Sequence, residues 1–165
     1  HIKKIFEGEF MTLGAVISPF NAWLLLRGLR TLPIRMQRVA ETTPKIVDFL
    51  ANHQKVSKIY YPFHPSHPQY ELAKKQMKSP AGQFSIELQV QSIEQVETFC
   101  NSLQKFLMAA SWGSYESLIF PACTLYTSQN YHSAPFHWSL IRFYIGLEDP
   151  DYLIDDLNQA LEKII

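Results

Sequence analysis

Two stretches of this sequence carry side chains equipped for chemistry. The first is Leu140-Ile141-Arg142-Phe143-Tyr144-Ile145-Gly146-Leu147-Glu148-Asp149-Pro150. Side chains alternate between the two faces of a β-strand. Ile141, Phe143, Ile145 and Leu147 therefore share an apolar face, and Leu140, Arg142, Tyr144 and Gly146 share the other. A permanently charged guanidinium in mid-sheet calls for an acid of its own chain, a path to water along its stem, or an anionic ligand. The second stretch bears on that choice. It is Ala110-Ser111-Trp112-Gly113-Ser114-Tyr115-Glu116-Ser117-Leu118-Ile119.

Other reactive residue types read as structural. Cys100 falls on a helical apolar stripe and is taken as a small core residue. His64 and His67 stand in a proline-stiffened loop with no carboxylate or thiol beside them, so no metal site is expected. Ser111, Glu116 and His132 make a hydrolase triad on paper, but no nucleophile elbow surrounds Ser111. Ser111 and Glu116 read better as turn residues, with Glu116 capping backbone. Trp112 on its own reads as a core aromatic with a satisfied indole N–H.

The elements that must position these residues are legible in part. Ser18-Pro19 opens a helix whose Phe20, Trp23, Leu24, Leu26 and Leu29 call for burial, against another domain or subunit if not within this one. Leu32-Pro33 is read as restarting a longer helix to about Asn52, kinked by Pro44, with Arg35, Arg38, Lys45 and Asp48 on its wet side. Val56–Tyr61 reads as a strand, Pro68 to about Lys78 as an amphipathic helix, and Gln83–Val90 as an alternating, half-buried strand. Ser92 with Gln95 resembles a capping box for a helix burying Ile93, Val96, Phe99, Cys100 and Leu103. Phe106–Ala110 and Leu118–Phe120 read as further strands, and Thr124–His137 as an irregular loop. Asp149-Pro150-Asp151 caps a last helix striped by Leu153, Leu157, Leu161 and Ile164, with Asp155 and Asp156 among the acids that suit its positive end. The sum is an α+β domain: N-terminal helices, then a mostly antiparallel sheet of about four strands with helices on one face.

Bulk composition narrows the function classes. The 165 residues are enough for one domain with a real core, 47% hydrophobic and 18% charged. Lys+Arg and Asp+Glu are both 15, so no basic surface for nucleic acid or an acidic membrane emerges. Two cysteines form no disulfide framework or metal spacing, which suits a reducing, cytoplasmic setting.

Taken in order, these motifs resemble the C-terminal domain of the Cys/Met-metabolism family of PLP-dependent enzymes, which includes cystathionine β-lyase, cystathionine γ-synthase and γ-lyase, and methionine γ-lyase. The resemblance rests on Ser111–Ile119 and Leu140–Glu148, with further matches at Ser18–Leu24, Leu26–Leu32, Val56–Pro62, His67-Pro68 and Glu148–Leu157. Trp112 and the Tyr115-Glu116-Ser117-Leu118-Ile119 run look most like cystathionine β-lyase. The resemblance implies that Arg142 grips the substrate α-carboxylate and that Ser111 helps it. It also implies that the positions of Ala110 and Tyr144 take part in substrate selection, and that pyridoxal 5'-phosphate is the cofactor of a full-length, tetrameric enzyme.

Three departures shape the expectation. No lysine here stands in the Ser-x-Thr-Lys context of the family's Schiff-base lysine, and the family's phosphate-binding and ring-stacking residues belong to an N-terminal domain. Residues 1–13 are therefore read as a connector from a missing PLP-binding domain, and 14–165 as the C-terminal domain, holding no cofactor and inactive alone. Ala110 replaces the acidic or aromatic residue that sorts substrates in relatives, which leaves β- and γ-elimination both open. Tyr144 stands where many relatives have serine or histidine. A reading of another class is a free-standing module that binds an amino acid or mediates dimerisation.

Overall fold

A computed structural model describes residues 1–14, 16–126 and 136–164. By internal contacts the chain divides into two units, residues 1–34 and 35–165.

The first unit is mostly helical, with a break at Gly14 and at residues 16–18. Turns over Ile2–Ile5, Phe6–Phe10 (a π-type turn) and Met11–Leu13 follow one another, and Gly14 ends them in the left-handed conformation at φ 62°. Residues 1–13, where glycine and charge break every apolar period, are nonetheless helical over Ile2–Leu13. Local bonds account for this: Lys3 pairs with Glu7 one turn on, and the Thr12 hydroxyl donates to the Gly8 carbonyl.

Helix α1 (Pro19–Ala51) begins in this unit and continues into the second. The expected restart at Pro33 does not occur, and the chain stays helical through both Pro33 and Pro44. The Ser18 hydroxyl accepts from the Asn21 N–H, the N-cap that the sequence indicates. Phe20, Trp23, Leu24, Leu26 and Leu29 are all exposed in this chain, so nothing within it supplies the burial expected of them. All buried residues of α1 lie in its second half, among them Val39, Ile46, Val47 and Leu50.

The second unit holds the sheet. Its strands are β1 (Val56–Tyr60), β2 (Gln83–Leu88), β3 (Leu107–Met108), β4 (Leu118–Pro121) and β5 (Leu140–Tyr144). They lie in the order β1-β2-β5-β4-β3. Every pair is antiparallel except β3 with β4. Helices α2 (Tyr70–Gln76), α3 (Ile93–Ser102) and α4 (Pro150–Glu162) complete the fold. The class is α+β, with five strands where about four were counted.

The core follows from alternation. Phe84, Ile86 and Leu88 of β2 and Ile141 and Phe143 of β5 are buried, and Phe84 stacks on its register partner Phe143 with centroids 5.2 Å apart. Against this face pack Val96 and Phe99 of α3 and the Leu153, Leu157 and Leu161 stripe of α4. Asp149 caps α4 by accepting from the Asp151 N–H. Asp156 departs from expectation. It is buried, and its carboxylate accepts from the Gln104 and Lys105 N–H groups and from Gln159, tying α4 to the chain after α3. No described helix is long and apolar enough to cross a membrane.

Candidate anion-binding site on the open sheet face

The face of the sheet opposite the core carries a cross-strand row. Register pairs Tyr60 with Ser85, Ser85 with Arg142, and Arg142 with Phe120, so all four side chains emerge on one side. The Arg142 guanidinium lies over two aromatic rings, its Cζ 5.6 Å from the Trp112 centroid and 5.4 Å from that of Phe120. Both distances fall within cation–π range. Nη2 donates to the Ala110 carbonyl at 2.7 Å and, more weakly, to the Ser111 carbonyl at 3.4 Å.

No described carboxylate forms an ion pair with Arg142. Among the described residues, Nε and Nη1 have no acceptor. Arg142 opens on two clefts. One, of about 360 Å³, has Tyr60, Phe63, Met77 and Phe84 in its wall, and the other, of about 220 Å³, has Phe120, Leu125 and Phe136. A guanidinium with unspent Nε and Nη1 donors, an Nη2 hydrogen held only weakly by Ser111, and apolar flanks is suited to hold a carboxylate or phosphate.

The 109–117 loop that supplies those carbonyls links the parallel strands β3 and β4, and it is held from several sides. Gly113 turns it at φ 90°, a conformation side chains rarely adopt. The Tyr144 hydroxyl donates to the Ser114 carbonyl at 3.1 Å, and burial raises its pKa. The Glu116 carboxylate accepts from the Ser114 hydroxyl, which lowers its pKa. Buried Ser117 donates from its N–H and hydroxyl to the two oxygens of Glu148, at 2.7 and 2.8 Å, while its Oγ accepts from the Gly146 N–H at 2.9 Å.

The family described as Cys/Met metabolism PLP-dependent enzyme matches residues 3–162. The chain belongs to that family. It is 42% identical over 155 residues to the cystathionine γ-lyase of Sus scrofa, covering 92% of this chain and 38% of that protein. An L-methionine γ-lyase of Fusobacterium nucleatum is 41% identical over 155 residues, covering 92% and 39%. An L-alanine/L-glutamate racemase of Wolbachia pipientis is 37% identical over 164 residues, covering 99% and 41%. The chain thus spans about two fifths of the length of these relatives. Among solved structures, one described as an O-acetylhomoserine (thiol)-lyase of Campylobacter jejuni, with N'-pyridoxyl-lysine-5'-monophosphate, matches at TM-score 0.80 and 33% identity. It covers 96% of this chain and 36% of that one.

In this member of the Cys/Met family, the residues singled out from sequence do come together. Ala110 and Ser111 meet Arg142 through their carbonyls, and Tyr144 lies two positions along the same strand. Trp112 is 63% exposed and pairs with Arg142, so it is not a core aromatic. His132 of the paper triad lies outside the described residues. The His64 ring bonds to Ser66, and no described cluster of three His, Cys, Asp or Glu could hold a metal. Cys100 is buried, and that burial pushes its thiol up to about 12.

Phe120, Ser117, Gly146 and Glu148 were not singled out for the site. Arg38 was placed on the wet side of its helix, yet it donates to the Leu147 and Glu148 carbonyls. One signal was available in advance: Gly146 and Glu148 directly follow the strand that carries Arg142.

Proposed function

We propose that this chain is the C-terminal domain of a PLP-dependent carbon–sulfur lyase acting on sulfur amino acids, and that Arg142 binds the α-carboxylate of its substrate. The observation that carries the reading is the guanidinium itself: held by two carbonyls, flanked by two rings, and without a carboxylate partner among the described residues.

The cofactor fits this chain on its substrate side. Among its lysines, Lys55 donates to the Leu161 and Ile164 carbonyls, and Lys58 and Lys105 lie over Tyr60 and Tyr152. The lysine and phosphate contacts are assigned to an N-terminal domain, and the chain alone is expected to be inactive. When bound, pyridoxal phosphate supplies an electron sink for the electrons left on Cα as its proton departs. Arg142 fixes the carboxylate by two parallel N–H···O bonds, one of them from the Nη2 hydrogen that the Ser111 carbonyl takes only weakly at 3.4 Å, which sets the rotation of the amino acid as well as its position. Trp112 and Phe120 add cation–π attraction that orients the guanidinium. Ser111 steadies Nη2 through its carbonyl, and Ala110 and Tyr144 bear on which substrates are accepted.

The enzyme names among the relatives, methionine γ-lyase and cystathionine γ-lyase, favour cleavage at the γ position. A β-lyase reading keeps the support of Trp112 and the Tyr115–Ile119 run. Each named substrate carries an α-carboxylate, so the role of Arg142 is common to both. The test is Arg142→Ala in the full-length protein, assayed for elimination from L-methionine and L-cystathionine. The expected result is a collapse of kcat/KM with the cofactor still bound, and undiminished turnover would overturn the reading.

A further inference from the structure

We infer that Glu148 and Ser117 are positioning residues for the carboxylate site: together they fix the far end of the loop whose near end holds Arg142. The inference rests on the proposed role of Arg142 and concerns what makes that role sharp.

The loop is pinned at two places. At its near end the Ala110 and Ser111 carbonyls take Nη2 of Arg142. At its far end the fully buried Ser117 is bonded in both directions. Its N–H and hydroxyl meet the two oxygens of Glu148, and its Oγ takes the N–H of Gly146. Gly146 follows Arg142 by only four positions, so strand and loop meet twice within one short span.

That second meeting leaves no room for slack. A Cβ at Gly146 would lie 2.2 Å from the Tyr115 carbonyl oxygen, so the backbones already touch. The Leu147 N–H donates to the same carbonyl at 2.8 Å. Glu148 is steadied in turn by Arg38, whose Nη2 donates to its carbonyl at 3.1 Å.

A carboxylate does here what a neutral group does poorly. Both of its oxygens accept, one from an amide and one from a hydroxyl, while the hydroxyl oxygen stays free to accept from Gly146. Without Glu148, two buried donors of Ser117 lose their partners and the loop must shift to find others. Such a shift moves the Ala110 and Ser111 carbonyls and Trp112 relative to the guanidinium. The amino group and side chain of a ligand do not depend on that contact, so the loss falls on the carboxylate.

The test uses the full-length holoenzyme and two probes, L-methionine and its carboxylate-free counterpart 3-(methylsulfanyl)propylamine, each titrated by the change in cofactor absorbance. Glu148→Ala is expected to weaken methionine about ten- to a hundredfold, the size of losing one charge-assisted bond, and the amine less than about threefold. Glu148→Gln keeps an acceptor for the Ser117 N–H and falls between wild type and alanine; it carries the test if the alanine variant does not fold. Equal weakening of both probes means a purely structural role and overturns the inference, as does no weakening of either. Arg142→Ala serves as the reference. If it leaves the methionine-to-amine ratio unchanged, the carboxylate role of Arg142 itself fails. If it collapses the ratio while both Glu148 variants preserve it, only the positioning role fails.

Discussion

Arg142 is held in place by a carbonyl, not by an acid: its Nη2 donates to the Ala110 oxygen at 2.7 Å across the sheet edge. A neutral partner orients a guanidinium without cancelling its charge. An ion pair at the same spot would have to be broken before a ligand's carboxylate could bind. Orientation by backbone, with the rings of Trp112 and Phe120 close by, leaves the charge available.

Arg142→Lys should recover little of what Arg142→Ala loses. An ammonium is a point donor and cannot span a carboxylate with two parallel bonds, nor lie over two rings as a plane does. Losing the bidentate geometry is expected to cost the full-length enzyme about ten- to a hundredfold in kcat/KM for an amino-acid substrate. Steady-state kinetics of the two variants, with cofactor content read from absorbance, checks this. A lysine variant at wild-type efficiency would show that charge alone suffices.

What the sequence made legible was whatever repeats with a short period. The alternation in Gln83–Leu88 and Leu140–Tyr144 and the Leu153, Leu157 and Leu161 stripe each announce a face, and each face is buried as read. Arg142 stood out because it interrupts such a pattern. Tertiary bonding leaves no periodic trace. Asp156 looked like a helix-end acid although it holds two backbone amides after α3, and Arg38 looked solvated although it reaches the turn after β5. Pro33 suggested a boundary, but the loss of one backbone donor did not end the helix. Trp112 taken on its own reads as a core aromatic, whereas its partner is the guanidinium.

Two glycines should respond oppositely to alanine. At Gly146 a Cβ would meet the Tyr115 oxygen at 2.2 Å and the Glu116 carbonyl carbon at 2.6 Å, both backbone atoms that cannot swing away. At Gly28, inside α1, a Cβ meets nothing within 4 Å. Gly28→Ala is expected to gain up to about 1 kcal/mol from reduced freedom of the unfolded chain. Gly146→Ala should lose about 3 kcal/mol or more as overpacking separates loop from strand. Urea unfolding of the two variants tests the contrast, and similar midpoints would refute it.

Asp156→Ala should be among the more damaging surface-to-core substitutions. It strips acceptors from the Gln104 N–H at 2.9 Å and the Lys105 N–H at 2.8 Å, in a place where its own side chain is 4% exposed. A loss of about 3 kcal/mol is expected, and Asp156→Asn, which keeps one carbonyl oxygen, should lose roughly half as much. Denaturant midpoints of both variants decide it, and an alanine variant as stable as wild type would mean that water replaces the carboxylate.

Alkaline stability should depend on Cys100. Burial, with smaller contributions from Cys123 and Glu97, moves its thiol from 9.0 up to about 12. The folded chain therefore keeps a proton that the unfolded chain releases. Stability from this group is complete below about pH 9 and is lost as pH rises towards 12. Tyr61, whose pKa burial also raises, adds to the same decline from about its ordinary value of 10.0 upwards. Cys100→Ala should lower stability at neutral pH through the small cavity it leaves, yet flatten the decline above pH 9. Urea unfolding of wild type, Cys100→Ala and Tyr61→Phe at pH values spanning this window separates the two contributions. A decline of unchanged slope in the cysteine variant would show that the thiol is not the group being titrated.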